Sequence, residues 1–241
     1  MREDTISWAC VQVRMLGCFS VTAATRPVSL STAGARLVAF LGLHGPGARS
    51  YVAGTLWPDV SEARAHANLR TTLWRASLRA PGLVSCDADV VRLAPSVDTD
   101  TDDLAAVAHL LLSGHLPARP PLPLLASGGM LLPGWYDDWV FAARERIRLL
   151  HQEALECLAG IHLTRRQYGR ALEPALLAAQ QEPLRETAHR LLLQIHMGCG
   201  NVVEAQRVFE TYRLRLDTEL GLRPSAAMCE LVELSGMAWS S

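Results

Sequence analysis

Lysine is absent from all 241 residues, so the 23 basic side chains are every one arginine. That absence excludes a phosphate-loop lysine, a Schiff-base lysine for pyridoxal phosphate and a Ser-Lys catalytic pair. Cysteine is sparse. The six residues, at positions 10, 18, 86, 157, 199 and 229, show neither CxxC spacing nor clustering, and read as reduced thiols rather than a disulfide framework. Long apolar runs are lacking too: the longest, Leu104 to Leu112, falls far short of the ~20 residues of a membrane span. The start, Met1-Arg2-Glu3-Asp4, is acidic and leads into no apolar segment of the secretory kind, so a soluble cytoplasmic protein is expected. No GxSxG, HExxH or GxGxxG occurs and no nucleophile stands near an evident base. The expectation is a chain with no catalytic residue and no cofactor, not an enzyme.

Metal sites fare no better. Asp98-Thr-Asp100-Thr-Asp102 imitates the start of a calcium loop, but Asp103 stands where the sharp turn needs Gly, and His109 where the bidentate Glu belongs. His189 and His196 lie two helical turns apart without a supporting carboxylate. No metal ligand set is assigned.

What is present is an uneven charge distribution. The formal net charge is −1, yet residues 1–95 carry 10 Arg against 6 acids and residues 96–241 carry 13 against 18. A change of regime near residue 97 accompanies it, giving expected domains at 1–97 and 98–241. Before it, Val11–Val21 and Pro27–Leu30 alternate as strands do. Leu30–Leu43 reads as a helix stopped by Gly45-Pro46-Gly47, and Ser50 as the cap of a short helix ending at Trp57-Pro58. Ser61 would cap a longer helix to Arg79, and Leu83–Cys86 with Val90–Leu93 reads as a hairpin around Asp87-Ala88-Asp89. After residue 97, Asp102 or Asp103 would cap a helix to Ser113, and the Pro- and Gly-rich stretch 114–134 reads as a loop. Helices are expected at Trp135–Leu163, Tyr168–Gln181, Leu184–Cys199, Val202–Leu220 and Pro224–Leu234.

The last of these regions carries a tetratricopeptide-like pattern. With Pro183 at the closing position, Leu155, Leu158, Ala159, Ala171 and Ala178 fall on consensus sites; one period on, Leu192, Ala205 and Phe209 do the same, while Asp217 replaces the proline. Stacked helix pairs are expected.

The positive charge concentrates on Ser61–Arg79. On a helical wheel Arg64, Asn68, Thr71 and Arg75 share one face, Ala67 and Trp74 lie beside it, and Leu69, Leu73 and Ala76 lie opposite. Arg, Asn and Thr on one face are the groups that read base edges and grip phosphates in a major groove. The order sheet, helix, short helix, long basic helix, hairpin is that of a winged helix, whose long helix is the recognition helix. Arg64, Asn68, Thr71, Thr72 and Arg75 are therefore the candidate DNA contacts, with Arg92 on the wing and Ser50 at the short-helix start as positioning contacts. The competing reading is a protein-interaction or ligand-sensing adaptor with a degenerate winged helix.

Several segments are more specific together. Met15-Leu-Gly-Cys-Phe-Ser-Val21, Leu56-Trp-Pro-Asp59 and Asn68-Leu-Arg-Thr-Thr-Leu-Trp-Arg75 resemble the DNA-binding domain of SARP-type (Streptomyces antibiotic regulatory protein) activators. Leu132-Pro-Gly-Trp-Tyr-Asp-Asp-Trp139, Glu182-Pro-Leu-Arg-Glu186 and Leu220-Gly-Leu-Arg-Pro224 resemble the bacterial transcriptional activator domain that follows it. The resemblance implies a mainly α fold: an OmpR-type winged helix-turn-helix with a small β-sheet and wing, then an all-α tetratricopeptide-like domain. It implies an activator of secondary-metabolite genes that binds direct repeats in double-stranded DNA near promoters, as a homodimer or as side-by-side protomers, and recruits RNA polymerase. The nucleotide-binding ATPase module of larger relatives is not expected. Two departures stand out: Ala76-Ser77 where the family usually has Leu-Arg, and the acidic wing tip Asp87 and Asp89.

Overall fold

The computed structural model describes residues 11–127 and 129–234. The acidic start Met1–Asp4, Cys10 and Gly128 lie outside them. Among the described residues no helix is long and apolar enough to cross a membrane, and Cys18, Cys86, Cys157, Cys199 and Cys229 are free. The chain divides into two compact units that are not contiguous in sequence: residues up to Ala106 with Ser127–Arg148, and Val107–Ala126 with the chain from Leu149 onward.

In the first unit β1 (Val11–Arg14) buries Val11 and Val13 and exposes Gln12 and Arg14, the alternation its sequence shows. It pairs antiparallel with β2 (Ser20–Ala23), Val13 opposite Val21. A tight turn at Ala24 and Thr25, with φ of 46° and 68°, leads into β3 (Arg26–Pro27). α1 (Thr32–His44) starts at Ser31, whose hydroxyl accepts from the Gly34 N–H at 3.2 Å, and stops at Gly45.

β4 (Gly47–Ala48) corrects the expected cap of the short helix. The strand carries the chain to the very start of α2 (Arg49–Leu56), so Ala48 holds the N-cap position and Ser50 sits within the first turn. α3 (Glu62–Arg79) starts after Ser61 as expected, though the Ser61 hydroxyl makes no capping bond. β5 (Val84–Asp87) and β6 (Val90–Leu93) form the wing hairpin, and β4 joins β6 to give the order β4-β6-β5. β7 (Val97–Thr99) pairs parallel with β1 and completes a sheet of order β3-β2-β1-β7.

α4 (Asp100–Leu112) is capped by Thr99, whose Oγ1 accepts from the Asp102 N–H at 3.0 Å; neither Asp102 nor Asp103 is the cap. Asp100, in the imitation calcium loop, instead accepts the Met15 and Leu16 N–H groups, each at 2.9 Å. Burial raises its carboxyl above the ordinary value, against those bonds.

The stretch 114–134 is more than a loop. It contains α5 (Leu122–Ser127), which buries Leu125, and the fully buried Leu131 and Leu132. Leu131 and Leu132 belong to the first unit, where Leu132 N–H donates to Met15 at 2.9 Å. Arg144 donates there to the carbonyls of Leu131, Leu132 and Trp135 at 3.0, 2.8 and 3.1 Å. Trp139 packs edge-on to Phe40 of α1, with centroids 5.4 Å apart. The arginine and aromatic residues thus hold 127–148 to the N-terminal unit, although composition shifts near 97.

α6 (Asp138–Thr164) starts three residues later than Trp135. From Leu149 on it belongs to the second unit with α7 (Tyr168–Gln181), α8 (Glu186–Gly198), α9 (Val202–Leu220) and α10 (Ala226–Leu234). The repeat positions Leu155, Leu158, Ala159, Ala171, Ala178, Leu192, Ala205 and Phe209 are all buried. Pro183 closes the first helix pair; where Asp217 stands at the equivalent place, α9 runs on to Leu220 and ends at Gly221 in the left-handed region, φ 64°. Glu156 accepts from Gln152, Thr187 and Arg185 at 2.9, 2.8 and 2.7 Å, tying α6 to the start of α8. Leu193, Phe209, Tyr212, Met228 and Val232 form the core of the last three helices. The fold is mainly helical, small N-terminal sheets followed by an all-helical region, as the motifs implied.

Candidate nucleic-acid interface

α3 is built as a surface helix. Ala65, Leu69, Thr72 and Ala76 are 1–5% exposed and form its packing stripe at spacings of 4, 3 and 4. On the outward side Arg64, Arg70, Thr71, Trp74, Arg75 and Leu78 are exposed. Asn68 is half-buried at the flank.

This placement divides the candidate contacts. Arg64 and Arg75 are free to reach a duplex, and Asn68 can do so from the edge of the stripe. Thr72, at 5% exposure, belongs to the packing stripe and presents nothing to a groove. The Thr71 hydroxyl donates to the Ala67 carbonyl at 3.0 Å, so toward a base it can only accept. Hydrogen-bond donors on the outward side of this helix therefore come from the arginines, Asn68 and the Trp74 indole N–H. Arg70 is exposed too, but lies on the far side of Trp74, off the face that Arg64 and Arg75 define on a helical wheel. The 65-69-72-76 spacing is the signal that would have moved Thr72 into the core.

The wing is electrostatically divided. A two-residue loop, with Ala88 at φ 50°, brings Asp87 diagonally across from Arg92. Their charged groups are 3.7 Å apart, with Asp87 83% and Arg92 40% exposed. Exposed pairs of this kind contribute little to stability, but the pair directs Arg92 toward its own wing. Arg92 Nε is buried without a hydrogen-bond partner. Ser50 is exposed in the first turn of α2, whose leading Arg49 N–H already donates to the Asp89 carbonyl at 2.8 Å. The α2 terminus therefore keeps fewer N–H groups for a phosphate than an uncovered helix start does.

Among the described residues no group of three or more His, Cys, Asp or Glu could hold a metal ion. His189 instead stacks on Tyr212, 4.6 Å between centroids, with a ring nitrogen 2.9 Å from the Pro183 carbonyl.

Residues 127–233 match the family model of the bacterial transcriptional activator domain. The match agrees with the resemblance of this region to that domain, and the solved structure of Mycobacterium tuberculosis EmbR in complex with a low affinity phosphopeptide has a similar fold: TM-score 0.61 at 18% identity, over 95% of this chain and 66% of that one. The chain thus spans about two thirds of the length of EmbR in that structure. No curated protein matches the sequence. The matched segment includes Trp135 and Trp139, so its first residues belong to the N-terminal unit.

Proposed function

We propose that this protein is a SARP-type regulator, a sequence-specific DNA-binding activator whose α3 enters the major groove of double-stranded DNA. The observation that supports this most is α3 itself: an 18-residue helix with Arg64, Arg70 and Arg75 exposed over an apolar packing stripe, followed directly by a β-hairpin wing. In this reading Arg64, Asn68 and Arg75 make base and phosphate contacts, Thr71 accepts from a base amino group, and Arg92 and Ser50 position the wing and α2 on the backbone. Direct repeats near promoters would be occupied by a homodimer or side-by-side protomers. Residues 98–241 would recruit RNA polymerase, in the cytoplasm, at genes of secondary metabolism.

Salt-titrated binding of the full chain to duplex DNA tests the reading. Each phosphate contact adds about −0.9 to the slope of log K against log salt, so three arginine contacts give a slope near ~−3. Salt-insensitive or absent binding to every duplex, with reporter activation retained, would leave the adaptor reading, which the acidic wing and its hold on Arg92 favour.

A further inference from the structure

The most outward position of α3 is held by a tryptophan. Trp74 is 62% exposed and Leu78, one turn on, 63%, between Arg70 on one side and Thr71 and Arg75 on the other. A tryptophan ring is among the largest apolar surfaces a side chain offers, and leaving it in water on a helix that already has a complete packing stripe gains the fold nothing. The charge around it selects the partner. The helix carries Arg64, Arg70, Arg75 and Arg79 against one acid, Glu62 in the first turn, which lies 3.8 Å from His66. An apolar group framed by cations suits an apolar group framed by anions. In a major groove that group is the thymine C5-methyl, set between two phosphate strands. A protein surface of matching character would need an acidic rim around an apolar pocket; the duplex supplies its anions at every base pair.

Resting on the reading of α3 as the recognition helix, we infer that Trp74 is a specificity-determining residue that selects thymine at one or two positions through contact with the C5-methyl. Arginine fixes guanines and phosphates; Trp74 adds a requirement those contacts cannot impose, because no hydrogen bond distinguishes thymine from uracil in the groove.

The test uses the full chain and a duplex enriched from a random-sequence library, with each thymine replaced in turn by deoxyuridine. Loss of one buried methyl should weaken wild-type binding by about 3- to 10-fold at one or two positions. Trp74→Ala should bind thymine and deoxyuridine duplexes equally, with an unchanged melting temperature because the side chain is exposed. Trp74→Phe should keep part of the discrimination. Arg75→Ala should weaken binding yet keep the deoxyuridine effect. If Trp74→Ala retains the wild-type deoxyuridine sensitivity, or binds DNA as wild type does while losing reporter activation, Trp74 faces a protein and the inference fails while the recognition helix stands. If no duplex is enriched and Arg75→Ala changes nothing, the recognition-helix reading fails with it.

Discussion

Arg36 of α1 and Asp137, 101 residues later, form an ion pair in which Nε and Nη2 of the arginine both donate to Oδ1, the Nε bond at 3.0 Å. Both side chains are about three-quarters buried, at 26% and 21% exposure. Beside them Phe40, His44 and Trp139 form an aromatic group, Phe40 stacking on His44 at 4.7 Å and meeting Trp139 at 5.4 Å. The residues from Ser127 to Arg148 are thereby part of the fold of the N-terminal unit.

Arg36→Ala should therefore cost about 1–3 kcal/mol, since hydrogen bonds to charged, partly buried groups sit in that range. Urea unfolding followed by tryptophan fluorescence reads it. A fragment ending at residue 97 leaves Phe40 without Trp139 and should melt below a fragment ending at residue 148. Equal melting temperatures for the two fragments would mean that 127–148 contributes nothing to the N-terminal fold.

Much of this architecture is legible in the sequence because its signals are local. α7 and α9 fall at the expected limits, and α1 begins at a capping serine and ends at a glycine. What escapes is set by distant partners. β7 has three residues, too few to show alternation, and exists because β1 pairs with it from 86 positions away, Val11 opposite Val97. β4 has two residues and displaces the expected cap at Ser50 for the same reason. Leu125, Leu131 and Leu132 sit in a stretch whose prolines spell a loop, and burial alone makes them structural. In the candidate interface the arginines of α3 were legible as charge on a helix. The Thr72 hydroxyl suggests a contact, whereas its place in the packing stripe buries it.

The wing offers a test of its own. Asp87 competes with phosphate for Arg92, so Asp87→Asn should free the guanidinium and remove a repulsive charge. Affinity for non-specific duplex should rise a few-fold and the salt slope should steepen by roughly one unit. Arg92→Ala should abolish that gain in the double variant. An unchanged slope in Asp87→Asn would place the wing away from DNA.

Two buried histidines make the helical unit sensitive to acid. His151 has a ring nitrogen 2.8 Å from the Leu125 carbonyl, and His189 is stacked on Tyr212; burial depresses the pKa of both below the usual histidine value. In the pH range between the depressed folded value and the unfolded value of ~6.5, the unfolded chain binds more protons, so stability rises with pH there and is level above it. Thermal melts should fall progressively as pH drops from about 7 to 5. His189→Gln should flatten part of that dependence. A melting temperature independent of pH over this interval would show that neither ring stays neutral in the folded state.

Gly198 closes α8 at a point where a Cβ would strike the ring of Tyr168, at the start of α7. The contact is against ring carbons near the hydroxyl end, and the ring belongs to a helix whose next turns are packed by Ala171 and Ala175 at 0% exposure. Relief of the clash therefore falls to the half-buried Tyr168 ring, which has to leave its place beside Gly198. Gly198→Ala improves helix propensity by up to ~1 kcal/mol, so the new clash and the propensity gain pull in opposite directions. Overpacking typically costs about 1–3 kcal/mol, and the net expected change is a loss of stability. Tyr168→Ala removes the ring and with it the collision. In the double variant the alanine at 198 should then be neutral or stabilising, a change of sign that calorimetry of the two single variants and the pair resolves. If Gly198→Ala stabilises the protein even with Tyr168 in place, the ring is free to swing away and α7 and α8 are not locked at this crossing.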